Sequence, residues 1–267
     1  MAKFALKPIY TPENTKFAFQ LRWGITIHWD TPVDDSKWLD ALRSALSPDQ
    51  IRILSWRWLT PDSTQFVVSS TPGSSPCIII QRLKGRLQYV ILEYAKKALR
   101  LHYSIRSFGT QERNIVEQYV QGQTNHHLMA TSKSQSIFED LNYKDLTVDL
   151  SSMRKTSHGS YWYNLHLVLV HAERWCDVKR SRLERVKQVI LQSGNRKSWR
   201  ISRCSILADH FHLALGCNFE ESPESVVLSF MNNVSWVYEM TPILQFSAYV
   251  GTFGEYDHRV IKGESLM

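Results

Sequence analysis

Residues 204–216 read Cys-Ser-Ile-Leu-Ala-Asp-His-Phe-His-Leu-Ala-Leu-Gly, a run of β-compatible residues that passes through a pair of histidines two positions apart. On a strand, alternate side chains share a face, so His210 and His212 point one way and Phe211 the other. Two neutral imidazoles converging on one point form half of a metal site and require further ligands. In isolation such a pair is far more often two ordinary sheet histidines, so its meaning depends on the rest of the chain.

Working outward, Tyr161 to His171 reads as a strand, Asp177 to Gln192 as a helix and Trp199 to Leu207 as a second strand. Beyond the histidines, Ser222-Pro223 opens a helix to about Glu239, with proline in the first turn, where its missing N–H does no harm, and Ile243 to Phe253 closes as a strand. The same order stands in the first half. A strand over 17–30 precedes a helix from Lys37 to Leu46, and strands over 51–59 and 63–69 flank the turn Thr60-Pro61-Asp62. Ser75-Pro76 opens a helix to about Arg100, Leu101 to Phe108 forms a strand, and Thr110 caps a helix to about Val120. Each half is β-α-β-β-α-β, the ferredoxin-like arrangement, and the expected class is α+β.

Three echoes align in register. Asp62-Ser-Thr-Gln65 matches Asp209-His-Phe-His212, Ser-Pro opens the long helix in both halves, and Ser107-Phe108-Gly109 matches Thr252-Phe253-Gly254. They indicate an internal duplication. The expected domains are 1–123 and 159–267, joined by a polar linker over 124–158 and packed as a pseudo-dimer around one joined antiparallel sheet.

A chain of 267 residues with 43% hydrophobic and 12% aromatic residues can bury a core in each half. No run approaches the roughly 20 apolar residues of a membrane span. Residues 1–8 lack the apolar region of a signal peptide. Cys77, Cys176, Cys204 and Cys217 have no Cys-x-x-Cys spacing, which removes a zinc knuckle or disulfide framework and fits a reducing cytoplasm. The net charge of +7 favours a polyanionic partner, nucleic acid first.

These motifs resemble the TnpA-type single-tyrosine HUH transposases, including relatives associated with repetitive palindromes. That family combines Pro-Asp-His-hydrophobic-His-Leu on a strand, Ser-Pro and a helix with Leu-Lys-Gly, a Ser-Val-Gly turn, and a helix bearing Tyr-hydrophobic-x-x-Gln. The first half keeps Leu21-Arg22-Trp23-Gly24, Pro61-Asp62, Leu83-Lys84-Gly85-Arg86, Ser107-Phe108-Gly109 and Tyr119-Val-Gln-Gly-Gln123, with Ser63 and Gln65 where histidines would stand. The second half keeps Asp209-His210-Phe211-His212-Leu213, has Ala208 in place of the proline, and carries Glu264 at the position matching Tyr119. Each half thus holds what the other lacks.

Family members are dimers in which the tyrosine helix of one subunit completes the histidine site of the other. The resemblance therefore implies one composite site. Tyr119 would be the nucleophile, and His210, His212 and Gln123 would hold Mg²⁺ or Mn²⁺, although the imidazoles alone would also accept zinc. The reaction implied is cutting and rejoining of hairpin-forming single-stranded DNA through a phosphotyrosine. It further implies phosphate contacts from Arg82, Lys84 and Arg86, and partners such as an RNA-guided nuclease or other mobile-element proteins. Trp23, Trp56 and Trp58 are candidates for base stacking, whereas His166 and the other histidines have no spacing partner and read as ordinary. The other open reading is a scaffold that binds a DNA hairpin, or a structured RNA, without cutting it.

Overall fold

The computed structural model describes residues 7–126 and 132–256. Strands β1 (Lys16–Gln20) and β2 (Arg22–Trp29) lead to α1 (Leu39–Leu46), β3 (Arg52–Thr60), β4 (Ser63–Ser69), α2 (Pro76–Val90) and β5 (Leu99–Phe108). Then come α3 (Arg113–Gln121), α4 (Gln123–His126), α5 (Ser132–Leu141), and the short strands β6 (Tyr143–Lys144), β7 (Arg154–Lys155) and β8 (Gly159–Trp162). The remainder is β9 (Asn164–His171), α6 (Arg180–Lys197), β10 (Arg200–Ile206), β11 (His210–Gly216), α7 (Pro223–Val237) and β12 (Leu244–Phe253).

The class is mixed α and β. Instead of one joined antiparallel sheet there are two six-stranded sheets, ordered β3-β4-β2-β5-β8-β7 and β1-β12-β9-β11-β10-β6. Both contain a parallel pair, because the leading strand of each half is broken. Chain 16–29 splits at the buried Leu21, and its first part, β1, pairs parallel with β12 of the other sheet. Chain 159–171 splits at the buried Tyr163, and β8 pairs parallel with β5. A side-chain hydroxyl fastens each crossing. The Arg22 amide donates to Thr252 Oγ1 (2.8 Å), and the Asn164 amide donates to Ser107 Oγ (2.9 Å).

The same hydroxyls donate onward across the seam, Thr252 to the Phe108 carbonyl and Ser107 to the Phe253 carbonyl, both at 2.7 Å. The two echoing turns therefore lie against one another. Only glycine fits at their ends. A Cβ on Gly109 would lie 2.4 Å from the Thr252 carbonyl oxygen, and one on Gly254 would lie 2.3 Å from that of Ser107.

Several elements differ from the sequence expectation. The helix opened by Ser75 stops at Val90, because Gln88 draws the chain into a turn by donating to the Ala95 carbonyl and accepting from the Ala98 amide. The helix expected from Asp177 starts at Arg180, since buried Asp177 instead accepts from the Lys179 amide and pairs with Arg182. The stretch expected to be a linker carries α4, α5, β6 and β7, and β6 and β7 each extend a sheet edge.

Helices α6 and α7 cover one face of the second sheet, burying the alternating Leu165, Leu167 and Leu169 of β9 and Phe211, Leu213 and Leu215 of β11. The opposite face, with Asn164, His166, His210, His212 and Ala214, receives α3, which follows the first half's last strand. Among the described residues no helix is long and apolar enough to cross a membrane.

Candidate functional site

Three histidines and a tyrosine meet where α3 crosses the second sheet. In the register of β9 and β11, His212 is opposite Val168 and Ala214 is opposite His166, which makes His166 and His212 diagonal neighbours on one face. Their rings stack with centroids 5.5 Å apart, and His166 Nε2 lies 3.2 Å from His212 Nδ1. One of the two nitrogens must carry the proton. His210 sits 5.1 Å from His212, ring to ring, and its Nδ1 is 2.6 Å from Asp209 Oδ1. Arg174 reaches the same carboxylate at 3.1 Å. Burial works against the Asp209 charge, but His210 and Arg174 hold its carboxyl below the usual range. Carboxylate and imidazole partners on Nδ1 fix both ring orientations and turn each Nε2 the other way, a geometry typical of metal-binding histidines.

Tyr119 comes from the other half. Its ring stands edge-on to His212 at 5.6 Å and to His166 at 5.8 Å. Helix α3 is held there by Val120, clustered with Ala214 and Phe253, and by the buried Glu117, which lies 3.8 Å from Arg203 on β10 and 3.6 Å from Arg113. A buried carboxylate shared by two guanidiniums fixes orientation more than it adds stability.

Gln123 does not continue the helix that carries Tyr119. Gly122 ends α3, and Gln123 begins α4, buried, with its amide nitrogen donating to the Tyr119 carbonyl (3.0 Å). That bond commits the nitrogen, which makes Oε1 the atom of this side chain suited to a cation. Among the described residues no group of three His, Cys, Asp or Glu side chains could hold a metal ion. The candidate donors are the His210 imidazole, braced by Asp209, and the His212 imidazole, held by His166, with the Gln123 amide oxygen as a third, residue types that suit a divalent ion keeping several waters.

Burial lowers the His166 pKa to about 4, so this ring is neutral at physiological pH. The unfolded value lies near 6.5, so its stabilising contribution is complete above that pH and is lost as pH falls toward about 4. In urea unfolding with a chelator present, His166→Asn is expected to lose on the order of 1–2 kcal/mol less than the wild type between pH 7 and pH 5. Equal losses would mean the ring is solvated.

Among the described residues the first half has no counterpart cluster. Gly24 occupies the place of His166, Ser63 bonds to His28, and Gln65 accepts from Arg57. Glu264 lies outside the described residues. The basic cluster on α2 is engaged within the fold. Arg82 and Arg86 both pair with Asp49 at 3.5 and 3.0 Å, and Lys84 donates to the Arg100 and Leu101 carbonyls, with burial lowering its pKa. Trp23 is fully buried and donates to Ser70, which removes it as a stacking surface. Trp56 and Trp58 are half-buried, packed on Trp38 and Trp29.

His166 is the residue that sequence reasoning missed. Alternation along 164–171 already placed it on the face away from Leu165 and Leu167. The missing information was the register that sets β9 beside β11.

No family profile and no curated protein matches the chain. Among solved structures, a candidate transposase of Deinococcus radiodurans is similar over 42% of this chain and 95% of its own, at 15% identity and a TM-score of 0.30. A REP-associated tyrosine transposase bound to a REP hairpin is similar over 38% of this chain and 61% of its own, at 9% identity and a TM-score of 0.32. An unknown protein from Galdieria sulphuraria is similar over 87% and 97%, at 9% identity and a TM-score of 0.22. Likeness at this level decides neither fold nor activity, and the functional reading rests on the site.

Proposed function

We propose that the chain is a single-strand DNA nuclease and strand transferase with one composite site, built from two ferredoxin-like units fused as a pseudo-dimer. The observation that carries this reading is the Tyr119 ring of α3 set edge-on against His212 of the other half. The strand order supports the paired-unit view, since each sheet places its half's first strand between the third and the fourth.

In this reading the Tyr119 oxygen attacks a backbone phosphorus. The new O–P bond forms as the P–O3′ bond breaks, leaving a phosphotyrosine and a 3′-hydroxyl that takes up the phenol proton. His210, His212 and Gln123 Oε1 would hold Mg²⁺ or Mn²⁺, which when bound supplies a Lewis acid for the charge gathering on the phosphoryl oxygens. Asp209 holds the His210 ring and His166 holds the His212 ring, so neither imidazole has to reorient during the reaction. Attack by another 3′-hydroxyl on the phosphotyrosine would reverse the step and join strands. The net positive charge of the chain suits this substrate.

The test uses labelled hairpin oligonucleotides from the gene's own flanks, incubated with Mg²⁺ or Mn²⁺ and resolved under denaturing conditions. The expected result is a covalent adduct whose modified peptide maps to Tyr119. Tight binding with no adduct under either metal would leave a hairpin-binding scaffold instead.

A further inference from the structure

Beside the tyrosine, on the side of His166, lies a cleft of about 380 Å³ closed by both halves. Its walls are the rings of Tyr119, Tyr249 and His166 together with Ile115, and the amides of Gln20 and Gln111 stand around it. Among the described residues, no lysine, arginine, aspartate or glutamate lines it. That is unusual in a chain of net charge +7, and other cavities differ, one being lined by Lys179, Arg182 and Arg185.

A phosphate would find no cation in this cleft, and a purely aliphatic group would leave the amides unsatisfied. A flat, neutral heterocycle meets both conditions. Its faces pack on aromatic rings, and its edge exchanges hydrogen bonds with carboxamides, each of which offers donors and an acceptor. We infer that this cleft receives one unstacked nucleobase of the strand whose backbone Tyr119 attacks. This rests on the nuclease reading for the placement of the strand, whereas the base-binding chemistry of the cleft stands apart from it.

The construction explains why the substrate is single-stranded. A base held in a duplex must leave its stack to enter, at a cost of a few kcal/mol, while an unpaired base enters without that cost. It also gives the pairing of β1 with β12 a purpose. That pairing sets Gln20 opposite Gly251, bringing an amide from the chain's first strand to the second half's site.

Two measurements test the inference. In the first, the scissile phosphate on the hairpin oligonucleotide is located and the neighbouring bases are replaced singly by abasic sugar. One position is expected to lower adduct formation about 5- to 150-fold, the range of one stacked base, with the others near unity. In the second, Ile115→Trp, a half-exposed position outside the reacting groups, fills the cleft. It is expected to weaken oligothymidylate binding by a similar factor without changing the affinity for an abasic oligomer of equal length or the melting temperature. Adduct formation indifferent to every abasic position, together with unaltered oligothymidylate binding by Ile115→Trp, would overturn the base cleft and leave the nuclease standing. No adduct with any substrate, but selective loss of oligothymidylate binding by Ile115→Trp, would retain the cleft and remove the nuclease.

Discussion

Tyr119→Phe is expected to abolish the covalent protein–DNA adduct, by about 10³-fold or more, while leaving hairpin affinity within about twofold. The substitution deletes one oxygen and keeps the ring that stands edge-on to His212 and His166, so packing of α3 on the second sheet is preserved. His210→Ala should also remove the adduct for a different reason, since it deletes one of the ligands proposed for the metal and leaves Asp209 beside Arg174 alone. The two variants separate by metal dependence. Raising Mn²⁺ has no effect on a chain that lacks the nucleophile, whereas it can recover part of the activity of a chain that lacks one ligand. An adduct that persists in Tyr119→Phe would place the nucleophile elsewhere and end the composite-site reading.

The parts of this arrangement that were legible in the sequence are those set by local chemistry. Alternation put His210 and His212 on one face, Ser75-Pro76 and Ser222-Pro223 announced helix starts, and the echo of Ser107–Gly109 in Thr252–Gly254 flagged a repeated turn. What was not legible was set by pairing between distant segments. The breaks at Leu21 and Tyr163 follow strands whose propensity is continuous, and only the neighbouring sheet edge explains why the chain leaves one sheet for the other. His166 joined the site through register, which no single strand encodes. Arg82 and Arg86, expected at DNA phosphates by resemblance, both pair with Asp49, a carboxylate more than thirty residues away in the chain. Gln123, four residues after Tyr119, suggested a shared helical face, but Gly122 ends the helix between them.

The echoing turns carry the second large prediction. Gly109→Ala places a methyl 2.4 Å from the Thr252 carbonyl oxygen, and Gly254→Ala places one 2.3 Å from the Ser107 carbonyl oxygen. Neither obstacle is the flexible end of a side chain. Each is backbone next to a hydroxyl that fastens a strand crossing, so relief requires the two sheets to part. Each substitution is expected to cost about 1–3 kcal/mol, the usual range of overpacking, and to lower the melting temperature by about 2–12 °C. The adduct should fall with it, because Tyr119 reaches His212 only across this seam. Gly85→Ala supplies the contrast. That glycine is exposed in α2, a Cβ there meets nothing within 4 Å, and alanine should stabilise by about 0.5–1 kcal/mol through helix propensity. Opposite signs at Gly109 and Gly85, read in one urea titration, would tie the glycine requirement to the seam. A Gly109→Ala chain as stable as the wild type would mean that the halves do not meet there, and the tyrosine would then have to reach a histidine site by another route.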